Sequence, residues 1–465
     1  MQFEARIARR EFFQIKVWCD FDIIYTMSEN IRVRFAPSPT GKVHIGNIRA
    51  AIYNWLYARH TGGKFLLRVE DTDLERSTPE AIEVLLECMK WLGLDYDEEP
   101  FYQTRNLKRH MECVEKLIAS GHAYKVERTS REGKTGVVTM FRMPKEGVIE
   151  FDDIVKGRMA KKAEDIQDFA IVRSDGSPIF HIANVVDDID QGVTHIIRGD
   201  DHVENTFKHI CIFKALGAPI PKYAHLSMIV NQQGKPYSKR DGAAFVGEFK
   251  DQGFLPEALF NYLLLLGWNP GDEREVLAKS EMVELFDLAK VHVTAARFDI
   301  KKLQWMNGEY IKRMPKDEFA RELKERTAEA GMAIPEGFDV SYLVDQLQIR
   351  TKFLSDIPAA VKCFFTDDFE MDAKAVEKRL AKEGVKALLL DLVERFSAVE
   401  AWDAVALEGV VKELSQGNGM GPWVHPIRVA CSGRGEGIGL FEMLQLLGRE
   451  RTLTRLAKAA ETLCP

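Results

Sequence analysis

The spacing of hydrophobic residues changes several times along the chain, and each change predicts an element of secondary structure. Residues 31–36 alternate between apolar and polar side chains, as in a short strand. The apolar residues from Ile48 to Leu56 recur at the i, i+3, i+4 spacing of an amphipathic helix. The pattern thus predicts a strand and a helix joined by a Pro- and Gly-rich loop that ends at residues 44–47.

A second strand–helix unit follows. The apolar run from Lys64 to Val69 precedes three carboxylates, the first of them Glu70, as expected for a buried parallel strand that ends at a ligand crevice. A Thr-Pro pair at residues 78–79 then begins a second amphipathic helix. This βαβα order indicates the first half of a doubly wound sheet.

After a mixed segment with short β-like runs, the pattern predicts a strand at 193–198, a helix at 204–216 and a strand at 224–230. From about residue 320 the periodicity is helical throughout. The predicted fold is therefore α/β, with a Rossmann-type doubly wound parallel sheet and a mixed α+β insertion, followed by an all-α C-terminal region.

The loop before the first helix carries residue types suited to nucleotide phosphates. Gly41 and Gly46 allow tight turns and the close approach of a ligand, and a helix that begins near Asn47 presents unpaired N–H groups to an anion. His44 lies where an imidazole can donate a hydrogen bond to a phosphate. A capping or packing role for His44 is the alternative interpretation.

A second loop, bounded by glycines at residues 234–242, contains the cations Lys235, Lys239 and Arg240. Three cations so close together are commonly only a solvated turn. In a chain that also contains a His-x-Gly loop, they can instead clamp a triphosphate from the opposite side. The two loops together favour a nucleotide-binding enzyme.

These two loops resemble the signature loops of class I aminoacyl-tRNA synthetases, and the residues around them resemble bacterial-type glutamyl-tRNA synthetases. The resemblance covers most of the chain beyond Met27. The matching segments are Arg-Phe-Ala-Pro-Ser-Pro-Thr-Gly from Arg34, Arg-Val-Glu-Asp-Thr-Asp from Arg68, Ala-Asn-Val-Val-Asp-Asp from Ala183, Ile-Arg-Gly-Asp-Asp-His from Ile197, Ser-Lys-Arg from Ser238 and Phe-Asp-Ile-Lys-Lys-Leu-Gln-Trp-Met-Asn-Gly from Phe298.

The resemblance implies a set of site residues, with His44 and Lys239 as the catalytic ones. The implied ATP-binding residues are Pro37, Gly41, His44, Gly46, Asn47, Ser238, Lys239 and Arg240. The implied glutamate-binding residues are Arg34, Ser38, Glu70, Phe180, Asn184 and Arg198. Arginine suits a dicarboxylate substrate because its guanidinium binds carboxylates in bidentate geometry. The structural alternative for Arg34 and Glu70 is an ion pair across neighbouring strands.

The implied reaction has two steps and needs no covalent nucleophile. ATP, supplied with Mg²⁺, and L-glutamate give glutamyl-adenylate and pyrophosphate, and the terminal ribose hydroxyl of tRNA then attacks the carbonyl. The resemblance also implies that tRNA binds before activation. The expected partner is tRNA(Glu), and tRNA(Gln) is left open as a second substrate. Glutaminyl-tRNA synthetase, a truncated relative that modifies a tRNA base, a small nucleotidylyltransferase and a noncatalytic tRNA-binding module are the alternatives.

Arg350, in the helical segment 342–352, is the residue expected to select the tRNA. It aligns with an arginine by which discriminating members of the resembled family read the last anticodon base. A surface arginine that contacts phosphate or solvent is the alternative.

Composition is consistent with a multidomain protein without a membrane span. The chain has 465 residues, 46% of them hydrophobic, and no apolar run approaches the roughly 18–20 residues of a transmembrane helix. Its seven cysteines are scattered, which indicates reduced thiols and a cytoplasmic location. Residues 124–149, where some relatives carry a zinc module, contain no cysteine, so we expect no zinc. We also expect a monomer.

The net charge of −7 does not exclude tRNA binding, because binding needs local basic surfaces and not a basic total. Two candidate surfaces stand out, and each can equally be a solvated helix face. They are Lys156, Arg158, Lys161 and Lys162, and Lys301, Lys302, Lys312 and Arg313.

The sequence departs from the resembled family at three places. Pro236 and Tyr237 replace the usual Lys-Leu before Ser-Lys-Arg, so Lys239 is expected to carry most of the phosphate charge. Phe180 replaces a common tyrosine and lacks its hydroxyl. Asn47 ends the His-Ile-Gly-Asn motif where many class I enzymes have histidine.

The resemblance suggests six segments. Residues 1–26 match nothing in the family and lack the features of a signal peptide. Either translation starts at Met27, or residues 1–26 are an extension that the family does not share. The other segments are the first catalytic half at 27–95, an acceptor-binding insertion at 96–192, the second catalytic half at 193–250, a stem-contact connector at 251–320 and a helical anticodon-binding region at 321–465.

Overall fold

The computed structural model describes residues 31–39, 41–73, 77–129, 135–417 and 419–465. The interpretation of residues 1–26 lies outside these residues. Two units make up the described chain. The first unit contains the residues up to 251 together with 256–300, and the second contains 252–255 together with 301–465.

All strands of the described residues belong to the first unit. They are β1 (Arg32–Phe35), β2 (Lys64–Val69), β3 (Phe101–Tyr102), β4 (Ala123–Thr129), β5 (Thr135–Phe141), β6 (Val148–Asp153), β7 (Gly157–Lys162), β8 (Phe169–Val172), β9 (His195–Gly199), β10 (Lys222–Leu226), β11 (Ile229–Val230) and β12 (Ala296–Arg297).

Helices cover the strands of the first unit and form nearly all of the second. The first unit contains α1 (Ile45–Thr61), α2 (Pro79–Trp91), α3 (Leu107–Ala119), α4 (Phe180–Asp190), α5 (Val203–Ala215), α6 (Val246–Asp251), α7 (Pro256–Leu265) and α8 (Lys279–Leu285). The chain continues through α9 (Ile300–Arg313), α10 (Lys316–Glu329), α11 (Val340–Leu347), α12 (Ile357–Phe365), α13 (Ala373–Arg379), α14 (Val385–Ser397), α15 (Ala404–Ser415), α16 (Gly421–Ser432), α17 (Leu440–Leu447) and α18 (Arg449–Thr462).

Parallel strands from both predicted half-sheets lie side by side. The first half consists of β1, β2 and β3 in parallel order, and in the second half β10 pairs parallel with β9 and with β6. The backbone N–H of Thr194, just before β9, donates to the carbonyl of Arg32 on β1 (2.9 Å) and so brings the halves together. The α/β fold class predicted from the sequence is confirmed.

The mixed segment between the half-sheets contributes to two different sheets. Strands β4, β5 and β8 form an antiparallel sheet of their own. Strand β6 instead pairs parallel with β10 through Asp153 and Tyr223, and carries β7 as an antiparallel neighbour. Asp153 is thereby placed next to a strand of the second half-sheet.

One predicted element is wrong in extent. The single strand expected at 224–230 is interrupted after Leu226, and β11 leaves to pair with β12. The residues beyond the interruption pair elsewhere, because the N–H groups of Ala296 and Phe298 donate to the carbonyls of Met228 (3.2 Å) and Val230 (2.9 Å). The carbonyl of Ser227, between the two strands, accepts a hydrogen bond from the buried guanidinium of Arg49.

The second unit is helical, as predicted for the chain beyond residue 320, and no strand follows residue 297 in the described part of the chain. Helices α14 and α18 pack against each other through Leu389, Leu392 and Leu456, which are completely buried. Among the described residues, no helix is both long and apolar enough to cross a bilayer.

Candidate active site

A cavity of about 670 Å³ opens in the first unit between the two predicted loops and the carboxyl ends of β1, β2 and β9. Ligands of open α/β sheets bind at this position. The predicted site residues that line it are Arg34, Pro37, Ser38, His44, Gly46, Asn47, Glu70, Phe180, Asn184 and Arg198. The structure therefore brings all six predicted glutamate-binding residues and four of the five predicted residues of the first loop to one place.

Four predicted loop residues do not line this cavity. They are Gly41, Ser238, Lys239 and Arg240. For Gly41 the structure suggests a different reason for the glycine. Its φ is +98°, a left-handed conformation, and a Cβ there would meet no atom within 4 Å. The left-handed backbone conformation by itself favours glycine at this position.

His44 is the N-cap of α1. Its Nδ1 accepts a hydrogen bond from the backbone N–H of Gly46 (3.0 Å). Gly46 is required for this, because a Cβ would lie 3.2 Å from His44 Nδ1. Burial lowers the pKa of His44, and the Tyr237 backbone only partly opposes the shift. The imidazole is therefore neutral at pH 7, with its proton on Nε2. The capping interpretation holds, and the remaining ring N–H of His44 lies near the Tyr237 backbone.

Backbone hydrogen bonds join the first loop to the segment directly after the second loop. The N–H of Ile45 donates to the carbonyl of Ala244 (2.9 Å), and the N–H of Val246 donates to that of Val43 (2.9 Å). The ring of Phe245 packs edge-on against His44, with 5.9 Å between centroids. The second loop is thus held beside the helix cap, as the clamp interpretation requires.

Asp241 holds the conformation of the second loop. Its Oδ2 accepts hydrogen bonds from the backbone N–H (2.9 Å) and Oγ (3.0 Å) of Ser238, and its Oδ1 accepts from Asn231 Nδ2 (2.8 Å). Lys239 and Arg240 are exposed, and no carboxylate among the described residues forms an ion pair with either. Their charges are available to an anion.

The departures at 236 and 237 have a structural basis. The hydroxyl of Tyr237 donates to the carbonyl of Ala243 (3.1 Å), and its ring lies 4.4 Å from that of Phe298. Burial raises the pKa of Tyr237 to about 12. Tyr237 therefore anchors the base of the loop, and both Pro236 and Tyr237 line the cavity.

A buried network of charges lies behind the predicted glutamate residues. Asp188 Oδ1 accepts from Arg34 Nε (3.0 Å) and from Arg68 Nη1 (2.6 Å). Arg68 Nη2 also pairs with Glu70 Oε1 (3.3 Å), which accepts from Asn184 Nδ2 (2.8 Å). Arg34 thus pairs with Asp188 on α4, and Glu70 pairs with Arg68.

Sequence reasoning assigned no role to Arg68 and Asp188, although both lie in quoted motifs. The available signal was a charged residue within the apolar run of β2, because a buried charge requires a partner. Burial alone would raise the pKa of Asp188, but the charges of Arg34 and Arg68 outweigh it and hold the pKa below its usual range. Burial dominates at Glu70 and raises its pKa.

Arg198 lies near the end of β9, almost completely buried. Its Nη2 donates to Thr206 Oγ1 (2.7 Å) and its Nε to His225 Nε2 (3.4 Å). Burial lowers the pKa of Arg198 to about 10, so the guanidinium remains charged at pH 7. Phe180 lies beside the imidazoles of His202 and His209, at centroid distances of 5.7 and 5.5 Å.

The first candidate basic surface is electrically compensated. Each of its four cations pairs with a carboxylate. The pairs are Lys156 with Asp200 (3.1 Å), Arg158 with Glu150 (2.6 Å), Lys161 with Glu204 (2.6 Å) and Lys162 with Glu164 (3.2 Å). These residues lie on and around β7, so the expected helix face is wrong there. In the second set, Lys312 pairs with Glu309 (2.6 Å).

Arg350 lies in the second unit, in a single 3₁₀ turn directly after α11. It is exposed, and its Nη1 donates to the carbonyl of Gly437 (3.4 Å). The buried amide of Gln348 fixes the turn by donating to the carbonyls of Ile311 (2.8 Å) and Met314 (2.7 Å). Arg350 is thus presented to solvent from an anchored turn.

No cluster of three or more His, Cys, Asp or Glu side chains suited to a metal ion occurs within the described ranges.

Family models match the two units. Residues 30–136 and 127–305 match the catalytic domain of class I tRNA synthetases (E and Q), and residues 286–460 match an anticodon binding domain. The parallel sheet, the paired loops and the cavity at the strand ends agree with the first match. Fold and site together define a class I tRNA synthetase.

Individual relatives narrow the class. Glutamate--tRNA ligases of Francisella tularensis subsp. novicida (strain U112) and Francisella philomiragia subsp. philomiragia are each 40% identical to the chain over 468 residues, which cover 93% of this chain and 100% and 99% of those proteins. A crystal structure of a glutamate tRNA ligase from Elizabethkingia meningosepticum CCUG26117 in complex with its amino acid has a TM-score of 0.82 at 29% identity, covering 94% of this chain and 100% of that one. The glutamate-tRNA synthetase of Elizabethkingia anophelis has a TM-score of 0.80 at 30% identity, covering 93% and 100%. The chain belongs to the glutamate--tRNA ligase family, as the motifs predicted, and is an aminoacyl-tRNA synthetase.

Proposed function

We propose that the chain joins L-glutamate to the 3′ end of tRNA(Glu) in two steps, through glutamyl-adenylate, with release of pyrophosphate and AMP. The observation that carries this proposal is the cavity itself. It places the guanidinium groups of Arg34 and Arg198 and the helix cap at His44 around one space. That space can hold a small amino acid with two carboxylates beside a nucleotide.

The charges around the cavity favour glutamate over glutamine. Arg34, Arg49 and Arg198 are the buried arginines of the cavity lining, and Glu70 is its buried carboxylate. Glutamate brings a second carboxylate to these guanidinium groups, whereas glutamine brings a neutral amide. An uncompensated buried charge costs several kcal/mol, on the order of 3–5 where one partner of a buried pair is lost.

Each predicted glutamate-binding residue receives a role in this proposal. Arg34 and Arg198 bind the two carboxylates of the substrate, and Ser38 and Asn184 line the same pocket. Glu70 accepts a hydrogen bond from the α-ammonium group. Phe180 packs against the substrate without contributing a hydroxyl.

Nucleotide activation relies on positioning and charge. The N-terminus of α1, with Gly46 and Asn47, receives phosphate oxygens, and the neutral His44 donates a hydrogen bond from Nε2. Mg²⁺ enters as part of the ATP complex. Lys239, with Ser238 and Arg240, compensates the charge that develops on the phosphates as pyrophosphate leaves. The α-phosphate is attacked in line by a carboxylate oxygen of glutamate.

The remaining assignments concern the partners. The helical second unit binds the anticodon arm of tRNA, and Arg350 reads the last anticodon base. The alternative is a non-discriminating enzyme that charges tRNA(Gln) as well as tRNA(Glu). We also propose that the protein is a cytoplasmic monomer and that its domains have the boundaries predicted from the sequence.

Aminoacylation with radiolabelled amino acids tests the proposal. With purified tRNA(Glu) and ATP, glutamate should be incorporated and glutamine should not. Arg34→Gln should lower kcat/KM for glutamate at least about tenfold, because hydrogen bonds to charged groups contribute roughly 1.5–3 kcal/mol. Arg158→Gln is the matched control, since this arginine is exposed and outside the cavity. Incorporation of glutamine at a comparable rate would refute the proposal.

A further inference from the structure

A chain of hydrogen bonds runs from Arg198 away from the cavity into the second half-sheet. Arg198 Nη2 donates to Thr206 Oγ1 (2.7 Å), and Thr206 Oγ1 lies 3.0 Å from His225 Nε2. His225 Nδ1 lies 2.6 Å from Asp153 Oδ2. All four side chains are at least nine-tenths buried. Such a chain has a direction, which depends on where His225 carries its proton.

Asp153 decides the direction. Its Oδ1 accepts hydrogen bonds from the backbone N–H groups of Val155 (3.0 Å), Lys156 (2.8 Å) and His225 (3.2 Å), so the carboxylate has a fixed orientation. Its Oδ2 then faces His225 Nδ1. A carboxylate only accepts hydrogen bonds, so Nδ1 carries a proton. Nε2 faces the N–H of Arg198, which can only donate, so Nε2 must be the acceptor.

The acceptor on His225 supports Arg198 in two ways. Arg198 Nε donates to it directly (3.4 Å), and the Thr206 hydroxyl, which accepts from Arg198 Nη2, lies 3.0 Å from it and 3.3 Å from its other acceptor, the His202 carbonyl. One edge of the guanidinium is thereby fastened. Within the described residues no hydrogen bond uses Arg198 Nη1, and Arg198 lines the cavity. The N–H groups that remain are the ones available to a carboxylate.

We propose that His225, oriented by Asp153, is a positioning residue that holds Arg198 in the geometry required to bind a carboxylate of glutamate. The inference rests on the proposed function. Asp153 lies on β6 and His225 lies on β10. The segment between the half-sheets therefore supplies Asp153, the last residue of the hydrogen-bonded chain. Neither His225 nor Asp153 lines the cavity, so both act only through Arg198.

Asp153→Asn tests the direction of the chain with little change of shape. The three backbone N–H groups keep the amide oxygen of Asn on their side, so its NH₂ group faces His225 Nδ1. The imidazole must then carry its proton on Nε2, where it confronts the N–H of Arg198 and the hydroxyl of Thr206. We expect the KM for glutamate to rise about tenfold, equivalent to roughly 1.4 kcal/mol, and the KM for ATP to stay within about twofold.

Two readouts separate positioning from simple damage. The ¹⁵N spectrum of histidine-labelled protein should show His225 protonated on Nδ1 in the wild type and on Nε2 in Asp153→Asn. Asp168→Asn is the matched control, because Asp168 also accepts from a backbone N–H, that of Met143 (3.0 Å), but its side-chain partners are Tyr124 and Lys145 and not His225. It should leave both KM values unchanged.

A second pair of variants covers the case in which Asp153→Asn does not fold. Thr206→Val removes the hydroxyl that accepts from Arg198, and Thr206→Ser retains it. The valine variant should raise the KM for glutamate and the serine variant should restore it. Equal KM values in the two variants would overturn the inference, as would a wild-type KM in folded Asp153→Asn. Wild-type protein that does not charge tRNA(Glu) with glutamate would instead refute the proposed function, and this inference with it.

Discussion

Removing Asp188 should destabilise the first unit strongly, because its carboxylate compensates two buried arginines. Asp188 pairs with Arg34 at 3.0 Å and with Arg68 at 2.6 Å, and the side chains of Asp188 and Arg68 have no exposed surface. Loss of one partner from a buried ion pair costs about 3–5 kcal/mol. Arg68 retains Glu70 at 3.3 Å, so we expect Asp188→Ala to fall near the lower limit.

Urea unfolding followed by circular dichroism measures this loss, with separate transitions fitted for the two units. Glu150→Ala is the matched control. Glu150 pairs with Arg158 at 2.6 Å, but both side chains are at least half exposed, and surface pairs of this kind contribute only about 0–1 kcal/mol. A loss below about 1 kcal/mol in Asp188→Ala, the value expected for a surface pair, would refute the buried-pair argument.

The same variant has a defined pH dependence. The pKa of Asp188 lies below its usual range in the folded protein, so its contribution to the free energy of unfolding is complete above the unfolded pKa, about 3.9, and is lost as pH falls through the folded value. The difference in unfolding free energy between wild type and Asp188→Ala should therefore be constant above about pH 5 and shrink in acid. A difference that grows as pH falls would contradict the assigned charge state.

Three further predictions concern the phosphates, a metal and the tRNA. Lys239→Ala should lower the rate of adenylate formation at least about tenfold, or roughly 1.4 kcal/mol, as measured by ATP–pyrophosphate exchange in the presence of tRNA. Lys235→Ala is the control and should have a smaller effect. A near-wild-type exchange rate in Lys239→Ala would show that Lys239 has no part in the mechanism. Metal analysis of the purified protein should find no stoichiometric zinc, and a chelator should not unfold it, because residues 124–149 contain no thiolate ligand; one tightly bound zinc per chain would contradict this. Arg350→Gln should narrow the preference for tRNA(Glu) over tRNA(Gln), since reading one base contributes about 1–3 kcal/mol; equal losses on both tRNAs would identify a phosphate contact, and a wild type that charges both would show that Arg350 does not discriminate.

Much of the site was predictable because its signals are local. The strand before the first loop, the helix after it and the Thr78-Pro79 start of α2 follow from spacing and capping preferences within a few residues, and the structure has all three. The loops at His44 and Ser238 were recognisable because their glycines and cations occur in short runs.

The predictions from sequence were wrong where an element is determined by residues that are distant in sequence. The strand predicted at 224–230 is interrupted because its last residues pair with β12, and at the interruption the Ser227 carbonyl accepts from Arg49, which lies 178 residues away in sequence. The four cations around β7 looked like a free basic surface, but carboxylates from other segments, such as Asp200 and Glu204, compensate two of them. The spacing of residues along one strand does not indicate which distant side chains pair with them.

The sequence alone determined the order of elements, the family and the residue types that surround the cavity, because these depend on spacing along the chain. The tertiary structure decided which charges neutralise one another. Asp188 meets Arg34 across 154 residues, and Asp153 meets His225 across 72. A buried charge is tolerated only when a partner is within hydrogen-bonding distance, and the topology of the sheet determines which partner that is.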